Sequence, residues 1–172
     1  LIAKQVLPLD ILYSIVDSQN DLGQLSSIDW DNIWEYQKVD INFIKRYIDN
    51  INWYNLSFNK EVISYDFIRE FGENLIWEEF TKHGIHENIL IYFIHKFNWV
   101  SWINICRYTE LSDDFIESYL GHLDVSSLLR YQKLSETLIE KIISYFDDFD
   151  RDFHFQSIGT YQKLSKNFIK RY

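Results

Sequence analysis

The sequence predicts an all-α protein, a right-handed-type helical-repeat solenoid of short helix–turn–helix units. Three observations point that way. A phrase recurs, YQKLSETLIEKI from Tyr131 and YQKLSKNFIKRY from Tyr161. Apolar residues return every fourth position, as in Phe43, Tyr47, Ile51 and in Phe115, Tyr119, Leu123, which makes a helical stripe rather than a strand alternation. One proline and five glycines leave few helix breakers in 172 residues. A hydrophobic fraction of 47% supplies a core and argues against disorder.

The opening, residues 1–29, stands apart. It carries the only proline and lacks the YQKLS phrase. Leu7 and Pro8 precede a helix, where proline is pre-set for the first turn. Ile11, Leu12, Ile15 and Val16 form its apolar stripe, which something must bury. Asn20-Asp21-Leu22 follows, with Leu25 and Ile28 expected on a second helix before Trp30.

From residue 30 to 172 the frame W-x2-I-x2-Y-Q-K-L-S-x2-F-I-x2-Y fits about six times. The copies run from Trp30 through Asp40 to Tyr47, from Trp53 through Ser64 to Phe71, and from Trp77 through Ile85 to Phe93. They continue from Trp102 through Ser112 to Tyr119, from Val125 through Ser135 to Ile142, and from Phe155 through Ser165 to Tyr172. The phenylalanine slot falls at 43, 67, 89, 115, 138 and 168, 125 residues over five steps, so the mean period is 25. That length holds two short helices. The extra FDDFDRDF between the last two copies adds about seven residues, close to two helical turns, so a helix can lengthen without rotating its apolar face.

Asp40, Ser64, Ser112, Ser135 and Ser165 stand where an N-cap oxygen is needed. Asp113, Asp114 and Glu136 follow at once, where the helix dipole favours acids. One such helix pair cannot cover its own apolar face, so neighbours must stack. Burial of each Trp- or Phe-slot side chain contributes roughly 1.5–3 kcal/mol to that stacking. Because the same slots recur in every copy, the aromatics read as core rather than as a ligand cage. Gln37-Lys38, Gln132-Lys133 and Gln162-Lys163 fall in the inter-helix turns as an expected exposed row, either a solvated turn or a binding ridge.

A net charge of −9 opposes nucleic-acid binding, which needs a basic field to displace counterions. Lys45-Arg46 and Lys170-Arg171 read as solvated helix faces. Cys106 is the only cysteine, so no internal disulfide forms, which fits a reducing compartment. No apolar run reaches the roughly 18 residues of a membrane span, and no leader opens the chain. With no methionine at its start and an end inside a repeat, the sequence is expected to be part of a longer protein. Ala3 is the only alanine while Ile, Asn, Tyr, Phe and Lys abound, the mark of an A/T-rich genome.

No catalytic constellation emerges. Asp148, Asp150 and Asp152 open like an EF-hand loop, but Phe153 stands where glycine is required and Gly159 where the bidentate glutamate belongs. His83, His86, His95 and Cys106 lack the paired spacing of a zinc site. Cys106 beside Ile105 reads as a buried thiol. Asp113-Asp114 and Asp147-Asp148 are neighbours in sequence and point apart on a helix. No phosphate-binding loop or nucleophile elbow occurs. The reading is a non-catalytic protein with no cofactor and no metal.

Two resemblances add to this. Leu7, Pro8, Ile11, Leu12, Ile15, Leu22, Leu25, Ile28 and Trp30 match positions of the F-box pattern, and the segment resembles the start of an F-box. That resemblance implies docking on a host Skp-type adaptor of a cullin–RING ubiquitin ligase, with the following repeats recruiting a client. A plain capping helix at the end of a solenoid shows the same pattern, and both readings stand at this point. The repeats from 30 to 172 are similar to the tandem YQKLS-type repeats of giant DNA viruses of protists. This implies a viral protein of the host cytoplasm, virus factory or virion, partnered by host or other viral proteins or by itself. It brings no catalytic residues. The alternative it implies is a structural or scaffolding repeat protein without a ubiquitin role.

Overall fold

A computed structural model describes residues 5–62, 64–145 and 148–172, with side chains in the last stretch from residue 155 onward. Among the described residues the chain is all-helical: thirteen α-helices, short 3₁₀ turns and no strand. It divides into two compact units, Leu1–Phe80 and Thr81–Tyr172.

The first unit holds α1 (Leu9–Asp21), α2 (Trp30–Tyr36), α3 (Ile41–Arg46), α4 (Trp53–Phe58), α5 (Tyr65–Phe71) and α6 (Trp77–Phe80). In the second are α7 (Glu87–Tyr92), α8 (Trp99–Tyr108), α9 (Asp113–Tyr119), α10 (Val125–Tyr131), α11 (Glu136–Tyr145), α12 (Asp148–Tyr161) and α13 (Lys166–Arg171). Most of these are too short to persist alone, and their caps and packing hold them.

The caps fall where the sequence places them. Asp40 Oδ1 accepts from Phe43 N–H at 2.7 Å. The hydroxyls of Ser64, Ser112, Ser135 and Ser165 accept from the N–H three residues on, at 3.1–3.2 Å. Each satisfies one of the free amides at a helix start. In α7 the ring of His86 takes this role, its Nδ1 accepting from Asn88 N–H at 3.3 Å.

The second helix expected before Trp30 is not an α-helix. Asn20 and Asp21 belong to α1, and Leu25–Ser27 is a single 3₁₀ turn with Ile28 extended behind it. Gly23 explains the difference. It takes a left-handed φ of 66° and closes α1 with Gly23 N–H on Asn20 O and Gln24 N–H on Gln19 O, a glycine C-cap. Asp29 then caps α2 through Asn32 N–H at 3.2 Å, so only one turn fits between them.

In the first unit α2 packs on α4 and α4 on α6; in the second, α10 lies against both α8 and α12. Leu12, Trp34, Phe43, Leu56, Phe67 and Phe80 fill the first core, and Leu90, Ile105, Phe115, Leu128, Ile139 and Phe168 the second. Aromatic side chains meet within single helix pairs, Trp34 on Phe43 edge-on at 5.8 Å and Phe115 on Tyr119 at 4.7 Å. Phe43, Phe67, Trp77, Trp102, Phe115 and Phe168 are core residues, as the recurrence of their slots indicates, and Trp30 and Trp53 are half-buried, whereas Tyr108, Tyr131, Tyr161 and Tyr172 of the same frame are exposed.

Candidate functional site

Helix α1 has two apolar faces. Leu12 and Val16 are wholly buried, with Leu9, Tyr13 and Gln19 half-buried beside them. Pro8, Ile11, Ile15 and Leu22, spaced by three, four and seven, run along the other face and are exposed, Ile11 at 46%, Ile15 at 36% and Leu22 at 65%. Of the remaining residues of the F-box pattern, Leu7, Leu25 and Ile28 are half-buried, and Trp30 Nε1–H donates to Leu25 O at 3.1 Å. The structure therefore splits the pattern residues between an inner and an outer face.

The inner face is tied down by polar contacts. Tyr13 OH donates to Asp40 Oδ1 at 3.0 Å, and Asp17 accepts from Tyr47 OH and pairs with Arg46 at 2.8 Å. Burial, and then the hydrogen bond to a carboxylate, pushes both phenols up to about 12, because neither change favours a phenolate.

The glutamines expected in an exposed row are not exposed. Gln37 is fully buried, Gln132 and Gln162 are half-buried, and only Lys38, Lys133 and Lys163 face solvent. Gln132 and Gln162 each clamp the inter-helix turn of the helix pair before them. Gln132 Nε2 donates to Cys106 O at 2.7 Å and Thr109 O at 2.8 Å, while its Oε1 accepts from Leu111 N–H at 3.1 Å. Gln162 repeats this at the same offsets, on Leu129 O, Gln132 O and Leu134 N–H. In the first unit Asn59, a shorter amide, reaches Trp34 O and Gln37 O at 2.9 and 2.8 Å. Gln37 clamps the N-terminal segment, accepting from Leu7 N–H at 2.8 Å and donating to Gln5 O at 3.0 Å. The physical reason is that inter-helix turns leave both carbonyls and amides unpaired, and an amide side chain donates two N–H bonds while its oxygen accepts a third, which a hydroxyl with one proton cannot match.

Two further recurrent contacts escape a reading of local sequence. In the second unit the acid after three of the caps accepts from the next cap: Glu87 from Ser112 N–H at 2.9 Å, Asp113 from Ser135 Oγ–H at 2.7 Å, Glu136 from Ser165. Arg107 lies over Tyr108 and Tyr131, and Arg130 over Tyr131 and Tyr161, at 5.0–5.5 Å, in cation–π range. The available signal was an arginine two residues before the amide position in both copies.

Where the end of α8 meets the turn before α7, the clamp changes form. Thr109 takes the amide position, and its buried hydroxyl has no hydrogen-bond partner. Gly84, at φ 72°, lets Tyr108 O approach so closely that a Cβ there would sit 2.6 Å from it. A direct backbone approach replaces the side-chain amide.

For chemistry, Cys106 is fully buried and burial pushes its thiol up to about 12, far from a reactive thiolate. Among the described residues no three His, Cys, Asp or Glu side chains gather as metal ligands, and no helix is long and apolar enough to cross a membrane. The side chains of Asp148, Asp150 and Asp152 lie outside the described residues. Compared with known proteins, the chain matches no family model, no curated protein and no solved structure.

Proposed function

We propose that this is a non-catalytic protein–protein interaction module, an F-box-like adaptor whose outer α1 face docks on a host Skp-type adaptor of a cullin–RING ubiquitin ligase. In this reading the helix pairs stack as a solenoid of about 25-residue repeats and present the client. The observation that carries it is the outer stripe of Pro8, Ile11, Ile15 and Leu22, exposed while Leu12 and Val16 on the same helix are buried. A helix that needed only to cap a neighbour would have polar residues there. Contiguous apolar residues left in water at a helix face mark an interaction surface.

A second reading has its own observation. The Gln37 clamp on Gln5 and Leu7 treats the N-terminal segment as Gln132 and Gln162 treat a preceding turn. This favours a cap, and with it a structural or scaffolding role for the stack among viral components. The two readings use opposite faces of α1, so one substitution set separates them. Intact wild type and a Pro8→Ala, Ile11→Asp, Ile15→Asp variant are used to capture partners from host lysate, with mass spectrometry for the Skp adaptor and cullin. The adaptor reading expects both with wild type and neither with a still-helical variant. Their absence from both samples leaves the cap and scaffold reading.

A further inference from the structure

The position four residues after each N-cap is aliphatic in all six copies of the frame, five isoleucines and one leucine: Ile44, Ile68, Leu90, Ile116, Ile139 and Ile169. The first five are at most 1% exposed, whereas Ile169 is 61% exposed and Tyr172 beside it 54%. Phe155, Ile158, Phe168, Ile169 and Tyr172 line an open groove of about 470 Å³ there.

The same helix occurs twice. Asn42 to Tyr47 and Asn167 to Tyr172 both read NFIKRY. On the first, Ile44 and Tyr47 are buried and the following pair, α4–α5, is seated. Asn59 of that pair clamps Trp34 O and Gln37 O, and Glu70 pairs with Lys45 at 2.8 Å. The second copy offers matching groups. By the offsets of the Gln132 and Gln162 clamps, they are Gly159 O, Gln162 O and Leu164 N–H, and among the described residues none of these receives a side-chain amide. Lys170 stands at the Lys45 position, and Lys166 takes the place of the acid that three pairs, through Glu87, Asp113 and Glu136, offer to the next cap. Both lysines are exposed.

The geometry points to this C-terminal face as a docking surface for a helix pair of the α4–α5 kind: amide-capped at the end of its first helix, apolar towards Ile169 and Tyr172, and acidic where it meets Lys170. A second copy of the same face is a poor occupant, because it brings lysine to lysine. The inference rests on the clamps within each unit and holds whether or not α1 engages an adaptor.

The test extends the intact chain after Tyr172 with its own residues 48–74 carrying Asn59→Gln, which keeps the NFIKRY register. A tail of equal length in glycine and serine is the control. Hydrogen exchange is read at the Leu164 amide. The expected result is at least about tenfold slower exchange than the control, since linkage holds the pair at millimolar effective concentration. Glu70→Lys in the appended copy should reverse much of that protection at low salt and less at high salt. Exchange at Leu164 as fast as in the control overturns the proposal, including the case in which the appended pair stays unfolded. So does a dimer of the unextended chain that protects Leu164 by itself, which would make a second copy the occupant.

Discussion

Thr109 shows what the amide position is worth. Its hydroxyl is buried without a partner, whereas Gln132 and Gln162 at the same position each make three hydrogen bonds to backbone. A buried hydroxyl without a bond costs roughly 1–3 kcal/mol. Thr109→Val keeps the shape and removes the hydroxyl, so urea denaturation should show it neutral to about 1 kcal/mol more stable. Opposite behaviour is expected at Gly84, where the left-handed φ and the 2.6 Å approach to Tyr108 O leave no room for a Cβ. Gly84→Ala should cost at least about 1 kcal/mol on the same measurement. These values distinguish a backbone approach from a side-chain clamp at one junction.

At the scale of elements, the pairs α10–α11 and α12–α13 are each held to the pair before them by an amide clamp, a cap-to-acid bond and apolar burial acting together. Gln132→Ala strips three backbone groups of their partner and should lower stability by about 1–3 kcal/mol. Lys133→Ala, one residue on and exposed, should change it by less than about 0.5 kcal/mol. Both are checked by the shift in denaturation midpoint. This contrast also marks what the sequence made legible. Caps such as Ser112 with Phe115 are local, three residues apart, and a pattern shows them. The partners of Gln132 lie 21–26 residues away and are backbone atoms with no signature of their own. Polarity therefore suggested an exposed row where the structure has an inward one. The 3₁₀ turn at Leu25–Ser27 departs from the expected helix for a related reason: the apolar spacing of Leu22, Leu25 and Ile28 is helical, but Gly23 ends the helix inside it.

The whole molecule is acidic and, among its described residues, all-helical, without a gathered metal set or a reactive thiol. Its proton linkage has one sign at high pH. Tyr13 and Tyr47 are raised from 10 and Cys106 from 9, all to about 12. The folded chain holds these protons more tightly than the unfolded one, so their stabilisation is complete below pH 9 and declines as pH rises towards 12. Denaturation midpoints followed from pH 8 to 11.5 should fall through that window, and Cys106→Ser, Tyr13→Phe and Tyr47→Phe should each flatten the fall. The function proposed for the molecule turns on α1, whose inner face joins the first unit and whose outer face is exposed. The most direct test is calorimetric titration of the purified host Skp-type adaptor into the intact protein and its Ile11→Asp, Ile15→Asp variant. The account expects saturable one-to-one binding by the wild type, lost in a variant whose helicity and melting temperature are unchanged. A folded wild type that does not bind, or a variant that binds equally well, would contradict it.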